Sequence, residues 1–127
     1  MLTQYEQLGG ELAVKNLVNR FYDLMDQRTD TSELRAMHAK SLKISREKLH
    51  LFLSGWLGGP SLYIEKYGHP KLRARHMPFT ITPLEKDQWL SCMNQALQEH
   101  ITDNTLLLMT LSASFKGVAE HMLNTQD

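Results

Sequence analysis

The sequence contains a single cysteine, Cys92, among its 127 residues. One thiol cannot form an internal disulfide, and it leaves a cysteine-based zinc site without enough ligands. Neither charge sign is in excess, because 14 Lys and Arg residues balance 14 Asp and Glu residues. A neutral chain lacks the basic surface that is typical of general nucleic-acid binders and of proteins held at anionic membranes. Cys92 follows the apolar spacing of its segment and is predicted to be a small core residue.

Long apolar runs are also missing, and none approaches the length of a membrane span. Residues 1–5 show neither the basic nor the apolar region of a signal peptide, so we expect a cytoplasmic protein. The sequence has no repeats, no low-complexity linker and no convincing period-two strand pattern. At this length we expect one domain, residues 1–127, without nucleic-acid or membrane partners.

Helical periodicity is the main pattern that is present. Apolar residues recur every three or four positions over residues 11–25, over residues 45–57 and again after residue 82, which predicts amphipathic helices. Thr82 to Glu85 has the pattern of a capping box with proline at the first helical position. A final helix is predicted from about Asp103. The predicted class is therefore all-α, with four main helices and short connecting pieces.

Residues 58–81 differ from the rest of the chain. Gly58-Gly59-Pro60 ends the preceding helix, and further glycines and prolines alternate with aromatic and basic residues. The pattern predicts a long irregular loop, which in a compact domain is usually either functional or disordered. The aromatic side chains argue against disorder, so we expect this loop to carry part of a functional site.

Six histidines are prominent in such a small neutral protein. Four of them are predicted to lie on the surface or in turns: His50, His69, His100 and His121. His76 differs, because the apolar residues Leu72 and Phe79 on either side predict that it points inward. A buried imidazole must either form a hydrogen bond or bind a metal. A core histidine satisfied by the protein and a metal ligand both stay open at this point.

One histidine cannot build a structural zinc site, which needs four protein ligands, but it can hold a haem iron because the porphyrin supplies four nitrogens. Haem would also explain the neighbours of His76, since the apolar residues suit the porphyrin plate and the basic ones suit its propionates. The opposite wall would come from other helices, with these candidates: Tyr22, His38, Leu49, Phe52 and Trp89. Ordinary aromatic core for Tyr22 and Trp89, and a surface turn for His38, are the alternatives.

Several motifs match one known family over about residues 5–123. The most specific is the run Gly68-His69-Pro70-Lys71-Leu72-Arg73-Ala74-Arg75-His76-Met77-Pro78-Phe79, followed by Trp89. The other matching pieces are Tyr5-Glu6-Gln7-Leu8-Gly9-Gly10, Arg20-Phe21-Tyr22, Phe52-Leu53 and Leu57-Gly58-Gly59-Pro60. With these motifs the sequence resembles the group II truncated haemoglobins.

The resemblance implies a globin-like two-over-two helical sandwich in which a long loop replaces most of helix F, with haem b (iron protoporphyrin IX) as cofactor. It implies that His76 is the proximal iron ligand. The distal side that it implies has Tyr22, His38 and Trp89 as polar groups, with Ser45 and Leu49 beside them. The residues that it implies in contact with the haem are Phe52, Leu53, Tyr63, Lys71, Leu72, Arg73, Arg75 and Phe79.

The implied function is reversible binding of O2, CO, NO or other small ligands at a pentacoordinate iron. Hydrogen bonds from Tyr22 and Trp89, with His38 as a further candidate donor, would slow ligand release, which favours redox chemistry, NO or peroxide detoxification, or sensing over bulk oxygen transport. One alternative is a haem enzyme with peroxidase or NO dioxygenase activity; the chain has no Gly-x-Gly-x-x-Gly fingerprint, so it would need an outside reductase. Another is a helical interaction module without cofactor. We expect a monomer or weak dimer, and whether Tyr22 or His38 ligates the iron internally stays open.

Overall fold

The computed structural model describes residues 1–125, and the secondary structure of this part of the chain is entirely helical. Its α-helices are, in order, α1 Gln4–Leu8, α2 Gly10–Gln27, α3 Ser32–Ala36, α4 Lys43–Trp56, α5 Leu62–Tyr67, α6 Leu72–His76, α7 Pro83–His100 and α8 Thr105–Met122. A 3-10 turn, Thr29–Thr31, links α2 to α3. The predicted all-α class is confirmed. No helix within residues 1–125 combines the length and the apolar character that a membrane span requires.

The central helix is α2, and its apolar spacing explains its position. Val14, Leu17, Val18 and Phe21 recur every three or four residues and have at most 1% of their surface exposed. They lie between α4 on one side and α7 on the other, and α7 in turn packs on α8. Burying a side chain of this size contributes about 1.5–3 kcal/mol. The result is two packed helix pairs, α2 with α4 and α7 with α8.

The predicted Gly-Gly-Pro stop ends α4 and also closes the molecule onto its first helix. Gly58 has a φ of 98°, a left-handed conformation that favours glycine. Gly59 is needed for a different reason: a Cβ there would lie 2.5 Å from the Cδ2 atom of Tyr5. The Tyr5 N–H also donates to the Leu57 carbonyl oxygen at 2.9 Å. The turn therefore fixes α1 against the end of α4.

The capping box predicted at Thr82 is present. The Thr82 hydroxyl accepts from the Leu84 N–H at 3.2 Å, and the Thr82 N–H donates to Glu85 Oε1 at 3.0 Å. The start of α7 is thereby fixed. This also fixes the direction in which the Trp89 side chain points, nearly two turns further along the helix. The last helix begins at Thr105, slightly after the predicted position, with Asn104 Oδ1 accepting from the Leu107 N–H at 3.1 Å.

The segment 58–81 is less irregular than predicted, because it contains the short helices α5 and α6. A helix of five or six residues has no repeating apolar face, so hydrophobic periodicity does not reveal it. Lys71 precedes α6 with a φ of 47°, the left-handed conformation, and none of the five residues of α6 is buried. The segment therefore lies on the surface of the helix pairs, where it covers one side of the cavity described next.

Candidate functional site

An apolar cavity of about 420 Å3 lies between the two helix pairs and the segment 58–81. Cofactor and ligand sites commonly have a volume of this order and a mostly apolar lining. Twelve of the residues proposed from the sequence line it: Tyr22, His38, Ser45, Leu49, Phe52, Leu53, Tyr63, Leu72, Arg75, His76, Phe79 and Trp89. Residues that are far apart in the sequence are thus brought around one space.

His76 is the last residue of α6, and its imidazole is half-buried in the wall of this cavity. The His76 Nδ1 atom lies 2.6 Å from the carbonyl oxygen of Leu72, one helical turn earlier. A carbonyl oxygen only accepts, so Nδ1 carries the hydrogen and donates it. Of the two neutral tautomers, this bond selects the one whose lone pair is on Nε2. A backbone carbonyl that fixes the tautomer in this way is the usual arrangement behind a metal-ligating histidine.

Aromatic side chains build the wall formed by α2 and α7. The Phe21 ring packs on Tyr22 at 4.9 Å and on Trp89 at 5.1 Å between ring centroids. Within residues 1–125, neither the Tyr22 hydroxyl nor the Trp89 indole N–H forms a hydrogen bond with the protein. Burial raises the pKa of the Tyr22 phenol, although the nearby Arg46 guanidinium opposes the rise. Tyr22 is therefore a protonated donor at neutral pH, and Trp89 is a second donor on the same wall.

His38 lies at the corner after α3, and its ring faces Tyr22 with the centroids 6.0 Å apart. His38 Nδ1 donates to the Leu34 carbonyl oxygen at 2.9 Å. Burial lowers the pKa of His38, and the positive charge of Arg35 lowers it further, although the bond to Leu34 opposes this. The ring is therefore neutral at pH 7 and presents an unprotonated Nε2, which accepts a hydrogen bond or binds a metal but does not donate.

The helix α4 contributes a line of cavity residues at helical spacing. Ser45, Leu49 and Phe52 follow one another at intervals of three or four positions and are each half-buried. Leu53 is only 1% exposed and joins the cavity lining to the core. Ser45 is the polar member of this line, and its short side chain lies on the cavity wall without reaching across as an imidazole would.

The cations predicted for this site divide into two groups. Arg75 lines the cavity beside Tyr63, with its guanidinium carbon 5.9 Å from the Tyr63 ring centroid. Lys71 and Arg73 are not among the lining residues. Arg73 instead donates to the carbonyl oxygens of His121 and Leu123 at 2.7 and 2.8 Å. Lys71, Arg73 and Arg75 are two positions apart, and in a helix residues at this spacing point to different sides. Only the fold shows that Arg75 is the one that faces the cavity.

Several cavity residues were not expected from the sequence. Two lysines, Lys48 and Lys86, belong to the lining. The aromatic and aliphatic residues that sequence reasoning missed are Leu34, Met37, Ala39, Trp56, Ile81, Phe115, Val118, Ala119 and Met122. The available signal for α8 was its apolar face, which continues through Phe115, Val118 and Met122. An apolar face of this kind is also what ordinary helix packing requires. The sequence therefore did not indicate that the C-terminal part of α8 lines a cavity.

The remaining histidines lie outside the cavity lining. His69 and His121 are exposed, as predicted. His100 is half-buried, which corrects the prediction of an exposed side chain, because its Nε2 atom lies 3.3 Å from the Leu8 carbonyl oxygen. His50 is also half-buried, and its Nδ1 atom is buried without a hydrogen-bond partner. Cys92 has no exposed surface, so the prediction of a small core residue is confirmed.

A larger groove of about 700 Å3 lies along the opposite face of α4. Its walls are mainly charged, and two of its cations have partners in the protein: Arg35 pairs with Asp26 at 2.8 Å, and Arg46 donates to the Asn19 carbonyl oxygen at 3.0 Å. Within residues 1–125, no group of His, Cys, Asp and Glu could hold a metal ion by itself. The apolar cavity, with the imidazoles of His38 and His76 in its wall, is therefore the better candidate site.

An all-helical sandwich in which a histidine with a fixed tautomer lines an apolar cavity fits a haem protein, in which the porphyrin supplies four iron ligands. The Bacterial-like globin family model matches residues 3–124. The chain belongs to this family, which implies a haem cofactor, and its fold is that of the truncated 2-on-2 globins.

Curated and solved relatives agree with this assignment. The chain is 38% identical over 120 residues to Group 2 truncated hemoglobin YjbI of Bacillus subtilis (strain 168), covering 94% of this chain and 87% of the relative. The cold-adapted truncated hemoglobin of Pseudoalteromonas haloplanktis TAC125 has 47% identity and a TM-score of 0.95, over 98% of this chain and 100% of that one. The Group II 2-on-2 hemoglobin of Agrobacterium tumefaciens has 42% identity and a TM-score of 0.95, over 100% and 97%.

Proposed function

We propose that this protein binds O2 and related diatomic molecules at a b-type haem. Its iron would be pentacoordinate, with His76 as the fifth ligand beside the four porphyrin nitrogens. The observation that carries the proposal is the bond from His76 Nδ1 to the Leu72 carbonyl oxygen on the wall of an apolar cavity, because it selects the tautomer in which Nε2 is the metal-binding nitrogen. Haem supplies an iron that coordinates small diatomic ligands when it receives one axial nitrogen from the protein. Membership of the globin family supports the same cofactor.

The Leu72 carbonyl also tunes His76. A hydrogen bond at 2.6 Å to Nδ1–H increases the electron density on the ring and makes Nε2 a stronger ligand. It also restricts rotation of the imidazole about its own axis. His76 is thus prepared for iron by its own helix, with no second side chain required.

Tyr22 and Trp89 are the residues that we propose to hold the external ligand. Both have a free donor hydrogen within the described chain, and both lie on one aromatic wall. A hydrogen bond to a partly charged oxygen contributes roughly 1.5–3 kcal/mol, so two of them slow ligand release by about two to four decades. Slow release is unsuitable for bulk transport. It favours redox chemistry, NO or peroxide detoxification, or sensing.

His38 has a different role in this proposal. Because its Nδ1 hydrogen is donated to Leu34 and its pKa is lowered, its Nε2 lone pair is an acceptor. It is therefore an acceptor beside Tyr22 on the cavity wall, and it does not add a third donor. Ser45 and Leu49 limit the space beside it.

The propionates are proposed to meet the cations of the cavity lining. Arg75 is kept in place by donating to the Pro70 carbonyl oxygen at 2.7 Å, and Lys48 and Lys86 are two further cations in the lining. The Arg75 guanidinium lies over the ring of Tyr63. Phe52, Leu53, Leu72 and Phe79 supply apolar contacts for the porphyrin. Lys71 and Arg73 have no such role in this proposal.

The test is the absorption spectrum of the protein reconstituted with haem, in the ferric, ferrous and ferrous-CO forms, compared with a His38→Ala variant. We expect a five-coordinate high-spin ferrous spectrum in both proteins and a sharp CO-induced change. A six-coordinate ferrous spectrum that becomes five-coordinate only in His38→Ala would assign internal ligation to His38 and contradict pentacoordination. The absence of any Soret band would contradict haem binding and favour the alternative of a helical interaction module without cofactor. Peroxide turnover clearly above that of free haemin would favour the enzyme alternative.

A further inference from the structure

The helix that carries His76 has unusually little to hold it. None of the five residues of α6 is buried, and the helix begins after a left-handed residue, Lys71. A helix of five residues is not stable by itself in water, because nucleation costs more than its few hydrogen bonds return. The position of His76 must therefore depend on contacts made from elsewhere in the fold.

The residues that follow α8 supply such contacts. Asn124 Oδ1 accepts from the Ile81 N–H at 2.8 Å, and the Asn124 N–H donates to the Ile81 carbonyl oxygen at 3.2 Å. Asn124 Nδ2 donates to the Phe79 carbonyl oxygen at 2.7 Å and lies 3.4 Å from the His76 carbonyl oxygen. One asparagine thus binds the main chain at three positions of residues 76–81.

Arg73 makes a second connection between the same two parts of the chain. Its guanidinium donates to the carbonyl oxygens of His121 and Leu123, at the end of α8. Carbonyl groups in the last turn of a helix lack intrahelical partners, and the helix dipole favours a cation there. The arginine is therefore bound at a site that suits it chemically, on the side of α6 away from the cavity lining.

We propose that Arg73 and Asn124 form a clasp, defined by these two side chains, that positions His76 and thereby controls how firmly haem is retained. The proposal rests on the proposed function, in which His76 ligates the iron. Arg73 and Asn124 are positioning residues, because they hold the main chain around His76 and are not part of the cavity lining. A clasp of this kind sets the distance and angle from which the imidazole approaches the haem plane.

The first experiment compares holoprotein variants that open the clasp with one that disturbs the same helix elsewhere. The clasp variants are Asn124→Ala and Arg73→Met. The matched control is Asn104→Ala, which removes a cap at the other end of α8. Haem transfer to an excess of a haem-scavenging protein is followed at neutral pH. We expect about a tenfold faster loss for each clasp variant, as for one or two lost hydrogen bonds, and an unchanged rate for the control.

The second readout is the iron–histidine stretching band in the resonance Raman spectrum of the ferrous unliganded protein. We expect the band to shift or broaden in both clasp variants and to stay in place in Asn104→Ala. Asn124→Asp keeps an acceptor for the Ile81 N–H and loses the donor to Phe79, so it should give an intermediate rate. Clasp variants that lose haem no faster than the control and keep the same band would overturn the proposal.

A third measurement separates the clasp from the haem itself. In the apoprotein, the Ile81 amide should exchange its hydrogen faster in Asn124→Ala than in wild type or Asn104→Ala, because its acceptor is gone. If the protein fails to take up haem at all, the proposed function fails, and this exchange still shows whether the clasp holds residues 76–81. An unchanged exchange rate for Ile81 would contradict the clasp even in a protein that binds haem.

Discussion

The two walls of the cavity are built in contrasting ways. On the wall formed by α2 and α7, Tyr22 is 6% exposed and the Phe21 behind it has no exposed surface. On the His76 side, α6 has no buried residue and Phe79 is 46% exposed. The aromatic wall is part of the hydrophobic core, whereas the His76 segment lies on the surface and is tied down by hydrogen bonds to its main chain.

Stability and cofactor binding are therefore assigned largely to different parts of one small fold. Full burial of a large apolar side chain contributes about 1.5–3 kcal/mol, whereas a typical hydrogen bond contributes about 0.5–1.5 kcal/mol net. The aromatic wall should therefore persist without haem. The His76 segment depends on a few polar contacts, and we expect haem binding itself to stabilise it further.

The largest expected effect is that of His76→Gly. Removal of the proposed proximal ligand should abolish tight haem retention, while the helix pairs stay folded because no residue of α6 is buried in the core. Soret absorbance after gel filtration measures retention, and added imidazole should restore part of it. Tyr22→Phe is the control on the other wall and should keep its haem. Normal retention in His76→Gly would remove the proximal assignment.

Phe115→Ala and Phe79→Ala compare the two sides of the cavity by stability, because Phe115, on α8, packs against Trp89 of the aromatic wall and Phe79 follows His76. Phe115 is 2% exposed and packs on Trp56 and Trp89 at 4.8 and 5.8 Å, so its loss should lower the free energy of unfolding by about 3–5 kcal/mol. Phe79→Ala should change it by no more than about 0.5 kcal/mol in the apoprotein and act mainly on haem retention. Denaturant unfolding of both apoproteins measures this. Equal losses would erase the contrast between the walls.

Trp89→Phe keeps an aromatic ring and removes one donor hydrogen. We expect the O2 dissociation rate to rise by about ten- to a hundredfold, as for one hydrogen bond to a partly charged oxygen. Stopped-flow ligand replacement gives the rate. The matched control is Trp56→Phe, which also lies in the cavity lining but packs on Phe52 and Phe115. Equal rates in Trp89→Phe and wild type would leave Trp89 as a packing residue.

The smallest effect is expected for Glu33→Gln, at the edge of the aromatic wall. Glu33 accepts from Gln88 Nε2 at 2.7 Å, and this bond lowers the pKa of the Glu33 carboxyl group. A lowered folded-state pKa stabilises the fold above the ordinary value of about 4.3 and loses its effect as the pH falls below it. The Tm gap between wild type and variant should be small at pH 7 and close on acidification. A gap independent of pH would contradict this assignment.

Local physical rules made much of the fold predictable. The apolar spacing gave α2, α4, α7 and α8, and the Thr82 capping box follows from residue types at fixed intervals. The close approach of Gly59 to Tyr5, by contrast, joins residues of two different helices and has no local signal. In the site, the resemblance and the chemistry of a lone histidine selected twelve of the cavity-lining residues. Arg73 was chosen by its charge, and its partners lie about 50 positions away, at the end of α8.

The residue pattern alone was enough to predict an all-helical chain and to propose His76 as the proximal iron ligand, because helix periodicity and ligand chemistry are properties of near neighbours. Only the tertiary structure decided that His38 presents an acceptor, that Arg75 but not Arg73 faces the cavity, and that Asn124 holds the main chain around His76. Each of these depends on which atoms meet across the fold. A pattern of residue types along one chain does not contain that information.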